Sequence, residues 1–182
     1  MKYLVLTDIH GSSKYLKHVL NKVERFDKLI ILGDILYHGP RNDLPDNYNP
    51  KEVIEILDNL KDKIIAVRGN CDADVDLMVL DFVIEDSKYL NIDGNMFFLS
   101  HGDRYSKSNI ITYDSKLYML YGHYHRNEVV EINNVTCINL GSLSIPKDGF
   151  HSYAIIENGE YTSYNLLNEE VILKVSLNEE RV

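Results

Sequence analysis

Tyr3-Leu4-Val5-Leu6-Thr7-Asp8-Ile9-His10 opens the chain with four apolar residues that run into a carboxylate and an imidazole. Four more stretches repeat the pattern. Lys28-Leu29-Ile30-Ile31-Leu32 leads into Gly33-Asp34, and Ile64-Ile65-Ala66-Val67 into Arg68-Gly69-Asn70. Met96-Phe97-Phe98-Leu99 leads into Ser100-His101-Gly102, and Leu117-Tyr118-Met119-Leu120-Tyr121 into Gly122-His123-Tyr124-His125. Runs of this length rich in Ile, Val, Leu and aromatics read as buried strands. Ligands of open α/β sheets gather where strands finish. The pattern therefore predicts two Asp, one Asn and four His along one rim of a sheet, a two-metal hydrolytic site.

Composition bounds this reading. The 182 residues suffice for one domain spanning 1–182 and are too few for two ordinary ones. A hydrophobic content of 45% with 26% charged residues is ordinary for a soluble globular protein. No apolar stretch approaches a membrane span, and the first strand starts too early for a signal-peptide pattern. Cys71 and Cys137 make no disulfide framework, so a cytoplasmic location is expected. The net charge of −9 argues against a broad nucleic-acid-binding surface. It does not exclude a small anionic substrate, because bound metal ions reverse the local sign.

Segment 14–26 reads as a helix, with Leu16, Val19, Leu20 and Val23 on one face and Ser12 or Ser13 as its cap. A second helix begins at Asn49-Pro50-Lys51-Glu52, with Asn49 capping and Pro50 in the first helical position. Val53, Ile56, Leu57 and Leu60 form its buried stripe. Segment 72–80 reads equally as a short helix or as irregular chain. The alternation of strands and helices up to Val67 favours parallel pairing. Beyond Lys88, Asp93-Gly94-Asn95, Asn133-Asn134 and Asn158-Gly159 mark hairpins, and Val171–Val175 is the last strand. A mixed system follows, βαβ units first and meanders later. The polar, turn-rich stretch 36–48 follows Asp34 directly and is expected to overhang the site.

Asp8 and His10 alternate across a strand end, which points both to one side as a two-ligand claw. His123 and His125 repeat that claw. Asp34 could bridge two ions with its two oxygens, while Asn70 adds a carbonyl oxygen and His101 a further imidazole. This oxygen and nitrogen set suits Mn²⁺, with Fe²⁺ or Zn²⁺ as alternatives, better than Ca²⁺ or Mg²⁺. Two divalent ions against two carboxylates leave about +2, enough to attract a phosphate ester. Such a pair, roughly 3.5–4 Å apart, activates water for in-line attack without a covalent nucleophile. A lone strand-end Asp is more often a turn residue, and a lone His is more often packed or on the surface. Four of the seven histidines at strand ends outweigh that bland reading. His18, His38 and His151 lack the context, and His18 on the first helix reads as non-functional.

Asp8-x-His10, Gly33-Asp34, Gly69-Asn70, His101 and Gly122-His123-x-His125, in that order, resemble the calcineurin-like metallophosphoesterases. Gly33–Asn42, Ala66–Asp72 and Asn139–Pro146 bring the resemblance closer to the small bacterial YfcE-type phosphodiesterases. The resemblance implies a four-layer αββα sandwich of two mixed sheets flanked by helices. It implies one ion held by Asp8, His10 and His125, a second held by Asn70, His101 and His123, and Asp34 shared. It also implies a homodimer or larger assembly, built through the C-terminal hairpins. Most of the wider family carries Gly-Asn-His where this chain has Gly69-Asn70-Cys71, whereas the YfcE-type branch is similar in having Cys. Cys71, His38 and Asp72 are therefore the candidate catalytic residues, with a small packed role as the alternative for Cys71. Arg41 and Arg68 are candidate phosphate clamps, unless Arg68 is a structural partner of Asp72 or Asp34.

A metal-dependent phosphodiesterase of small diesters is the leading function. The contrasting reading is a non-catalytic interaction module like the similar-sized retromer subunit of this fold, whose metal pattern is degraded. All seven positions are filled here, which favours catalysis. Protein Ser/Thr phosphatase activity is a weaker third option, since only the 36–48 loop offers material for a protein-substrate groove. A thiol at position 71 is a poor acid for an alkoxide leaving group, although nearby metal ions lower a thiol's pKa. Aryl diesters should therefore turn over faster than alkyl ones, and Cys71→His should flatten that preference. Equal dependence on leaving-group pKa in wild type and variant would remove Cys71 from the proton-transfer step.

Overall fold

The computed structural model describes residues 1–177. In chain order its first half runs β1 (Tyr3–Leu6), α1 (Ser13–Lys22), β2 (Lys28–Ile31), α2 (Pro50–Asp58), β3 (Ile64–Val67), α3 (Asp74–Val79) and β4 (Ile84–Glu85). The second half is strands: β5 (Lys88–Ile92), β6 (Asn95–Leu99), β7 (Leu117–Tyr121), β8 (Glu128–Ile132), β9 (Val135–Asn139), β10 (Ser152–Glu157), β11 (Glu160–Asn165) and β12 (Val171–Ser176). They form a seven-stranded sheet, β12-β11-β10-β1-β2-β3-β4, and a five-stranded sheet, β5-β6-β7-β9-β8.

Side-chain alternation along β1 sets the layers. Leu4 and Leu6 pack outward with Leu29 and Ile31 against Leu16 and Val19 of α1 and Val53 and Leu57 of α2. Tyr3 and Val5 face inward, where Ile30, Val67 and Ile156 meet Phe97, Leu99, Tyr118 and Leu120 of the second sheet. A sandwich of two mixed sheets results, as expected. The outer face of the second sheet, with Phe98, Met119 and Cys137, is covered by Tyr105, Ile110, Ile111 and Tyr113. Those residues belong to segment 100–116, which contains no helix.

Several elements follow the sequence closely. The β1–β2 and β2–β3 pairs are parallel. The Asn49 side chain accepts the Glu52 N–H at 3.3 Å and caps α2. Asp93 and Gly94 at φ 50° and 90°, and Asn158 and Gly159 at 54° and 74°, give both hairpins consecutive left-handed turn residues. Three expectations need correction. First, α1 stops at Lys22 rather than continuing to residue 26, because the Asp27 N–H must reach the Lys2 carbonyl at 2.8 Å to start β2. Second, the later strands are not a simple meander: β6, β7 and β9 run parallel, with β8 folded outside β9. Third, the metal-seeking strand ends belong to both sheets, β1, β2 and β3 in one and β6 and β7 in the other.

Leu99 is fully buried between the sheets two residues before His101. Leu99→Ala should cost about 2–5 kcal/mol. Chemical denaturation measures this, and a loss well below that range would show the sheet interface closing around the missing side chain.

Candidate metal centre

Asp8, His10, Asp34, His123 and His125 all have left-handed backbone, with φ between 47° and 71°. Non-glycine residues adopt this region at a cost of about 1 kcal/mol or more each, and such strain gathers at functional sites. Simple alternation along a strand does not therefore direct Asp8 and His10, since β1 ends at Leu6. The chain curls instead, and neighbouring loops hold the curl. Asp8 and His10 donate their N–H groups to the carbonyls of Gly33 and Asp34 at 3.1 and 2.9 Å. Glycines make this approach possible. A Cβ on Gly69 would sit 2.2 Å from Asp34 Oδ1, and one on Gly122 would sit 2.0 Å from Thr7 Oγ1.

The seven side chains converge in two groups. His125 Nε2 and His10 Nε2 lie 3.1 and 3.6 Å from Asp8 Oδ1, and 3.3 Å from each other. His101 Nε2 lies 3.1 Å from Asn70 Oδ1 and 3.3 Å from His123 Nδ1. Asp34 stands between them, with Oδ2 at 3.7 Å from His10 Nε2 and 3.3 Å from His101 Nε2. Its Oδ1 is occupied by the Cys71 N–H at 2.8 Å. One oxygen, rather than the two expected, thus faces both groups.

The donor set fits divalent cations. Backbone carbonyls of Tyr37, Leu32 and Ile145 lie 2.6–2.7 Å from Nδ1 of His10, His101 and His125. Accepting a proton there, they fix Nδ1–H and aim Nε2 at the centre, the arrangement that presents neutral imidazole to a metal. Asp8 Oδ2 accepts from Thr7 Oγ1 and the His123 N–H, whereas buried Asp8 Oδ1 has no hydrogen-bond donor. Burial opposes ionisation of Asp8, yet the His10 and His125 imidazoles hold its carboxyl well below the usual range. Burial would likewise lower His101, but the Asp34 carboxylate and the Asp8 charge lift it to about 10. His123 is held below its ordinary value by burial and by His101.

The other sequence candidates part company. Cys71 lines the same cleft as Asp34 and Asn70, and its Sγ accepts from Asn70 Nδ2 at 3.3 Å. Burial, reinforced by Asp34, pushes its thiol up to about 12. Asp72 is not placed as a catalytic group. Its carboxylate accepts the N–H groups of Asp34, Ile35 and Gly69 at 2.7–2.9 Å and ties two ligand loops together. Arg68 is the structural partner rather than a free clamp, donating to the Asp72 carbonyl and the Asp74 carboxylate at 2.9 and 2.8 Å. His38 sits edge-on to Tyr37 and Tyr48, with its Nδ1 buried and without a hydrogen-bond partner. Arg41 is exposed on the cleft wall, as the overhanging 36–48 loop predicts. Sequence reasoning missed Ser142 and Ser144, whose hydroxyls donate to the Asp8 carbonyl at 2.9 and 3.1 Å. It also missed Lys147 and Tyr124 on the cleft wall. The Gly141-Ser142-Leu143-Ser144 run was the only available signal for any of these.

Residues 1–160 match the family model of the calcineurin-like phosphoesterase superfamily domain, and the chain belongs to this family. Membership makes it a hydrolase of phosphoester bonds. Phosphodiesterase YfcE of Escherichia coli strain K12 is 36% identical over 182 residues, covering 98% of this chain and 99% of that protein. The solved structure of the E. coli phosphoesterase YfcE superposes with a TM-score of 0.93, covering 98% of this chain and all of that one. Wild-type Vps29 of Entamoeba histolytica complexed with Zn²⁺ shares the fold at 19% identity and a TM-score of 0.63, covering 98% and 100% of the two chains.

Gly69→Ala should destabilise the protein by about 1–3 kcal/mol and weaken divalent-metal binding, because either Asp34 or the 69–72 loop must retreat. Unchanged stability and unchanged metal affinity in calorimetry would show that the two loops are not in enforced contact. Metal binding should also release protons. His101 titrates near 10 and is protonated at pH 7, so a cation at its Nε2 displaces that proton. Affinity should therefore rise with pH until about 10, above which the metal-free His101 has already lost its proton. Titration calorimetry in buffers of different ionisation enthalpy counts the protons, and zero release at pH 7 would contradict the raised value.

Proposed function

We propose that the chain is a phosphodiesterase that hydrolyses small phosphate diesters at a dinuclear metal centre, with Mn²⁺ as its ion and Fe²⁺ or Zn²⁺ as substitutes. The observation that carries this reading is the position of Asp34 Oδ2, within 3.7 Å of one ligand group and 3.3 Å of the other. Asp8, His10 and His125 would hold one ion, Asn70, His101 and His123 the other, and Asp34 would serve both. When bound, the two cations supply an activated water and positive charge on the phosphoryl oxygens.

The protein's own groups do the rest. The backbone carbonyls behind three imidazoles orient them, and Asp72 fastens the Asp34 and Gly69 loops in register. Cys71, beside Asn70 in the same cleft, is the candidate weak acid for the leaving group. Two divalent ions against the two carboxylates leave about +2 in a chain of net charge −9, so the cleft attracts an anion that the remaining surface repels. Among the described residues no helix is long and apolar enough to cross a membrane. Cys71 and Cys137 are free thiols, which fits the cytoplasm. Edge strand β12, with Val171 half exposed, is the surface on which a second copy would pair.

Chelation should abolish hydrolysis of bis(p-nitrophenyl) phosphate, and Mn²⁺ should restore it. Asp34→Ala should bind fewer than the about two metal equivalents of the wild type. A protein that hydrolyses no diester with Mn²⁺, Fe²⁺ or Zn²⁺ would overturn this function and favour the interaction module.

A further inference from the structure

The cleft that opens on the centre has a volume of about 830 Å³. That is the size of sites that enclose whole cofactors or drug-sized ligands, and far exceeds what one phosphoryl group fills. Its walls are selective in kind. Tyr37 and Tyr124, from the loops after β2 and β7, are 41% and 40% exposed and both line it. Tyr124 is held in place, with its hydroxyl 3.2 Å from Ser106 Oγ and its ring edge-on to His123 at 5.1 Å. No Leu, Ile, Val, Met or Phe lines the cleft among the described residues, which disfavours an acyl chain. Arg41 and Lys147 also line it. Neither makes an ion pair with a described residue, whereas Arg68 beside them is paired with Asp74.

We infer that the cleft takes a nucleotide-sized phosphodiester, with a nucleoside ring against Tyr124 and Tyr37 and a second anionic group on that arm read by Arg41 and Lys147. This rests on the phosphodiesterase reading above. The chemistry matches the walls: a base offers a π-face to any aromatic side chain, and unpaired cations in an acidic protein serve an anion. A long nucleic acid is a poor match, because the net charge is −9.

Three Mn²⁺-dependent substrates with the same p-nitrophenolate leaving group separate the terms. They are methyl p-nitrophenyl phosphate, thymidine 5′-(p-nitrophenyl phosphate), and the latter carrying a 3′-phosphate. The thymidyl ester should exceed the methyl ester in kcat/KM by roughly tenfold, chiefly through KM. The 3′-phosphate should add several-fold more. Tyr124→Ala should erase the thymidyl-to-methyl ratio, while Tyr124→Phe keeps it. Arg41→Ala and Lys147→Ala should each erase the benefit of the 3′-phosphate. Each ratio is internal to one variant, so a partly unfolded preparation does not distort it. Equal kcat/KM for the three substrates, or variants that lower all three alike, would overturn the inference while leaving the hydrolytic function standing. Failure to hydrolyse any of them with metal present would overturn both.

Discussion

Two carboxylates and three imidazoles are buried together, with a fourth, His123, at the cleft edge, and the charge problem this creates shapes the structure around it. Asp8 and His10 are fully buried, and Asp34, His101 and His125 nearly so. Desolvation alone would neutralise such groups, yet Asp34 is held low and His101 high because each is the other's main counter-charge, and His10 and His125 hold Asp8 low. The protein answers chiefly with backbone, aided by the Thr7 hydroxyl on Asp8. Carbonyls of Leu32, Tyr37 and Ile145 fix the rings, and N–H groups of Cys71 and His123 fix the carboxylates. A site built this way depends on loop geometry to a few tenths of an ångström, which is why so little space is left at Gly69 and Gly122.

The two sheets supply that geometry from opposite sides of one core. β1, β2 and β3 deliver Asp8, His10, Asp34 and Asn70, while β6 and β7 deliver His101, His123 and His125. The packing of Val5 and Ile30 against Leu99 and Leu120 is thus also the spacer that sets the distance between the ligand groups. In this sense hydrophobic burial, which has no direction of its own, is converted into the placement of directional ligands.

Much of this was legible in the residues. Strand runs that end in Gly-Asp, Gly-Asn and Gly-His are local signals, and the Asn49-Pro50 start of α2 and the Asn158-Gly159 turn are equally local. What stayed hidden depends on partners distant in sequence. The parallel β6, β7 and β9 arrangement is set by sheet packing, and a hairpin signal at Asn133-Asn134 says nothing about which neighbour β9 finds on its other side. Asp72 reads as one more acid near a site, and only its three backbone contacts reveal a brace. The left-handed curl at five ligand positions has no signature in composition, because Asp and His tolerate that conformation without announcing it.

The brace at Asp72 has one more consequence. Its bonds to Asp34, Ile35 and Gly69 run entirely between protein atoms, as do those from Ser142 and Ser144 to the Asp8 carbonyl. The ligand loops are therefore assembled by the polypeptide itself, unlike a zinc finger, whose folding awaits its ion. The loops after β2 and β3 are thereby coupled: neither can shift without breaking a bond to the one Asp72 carboxylate.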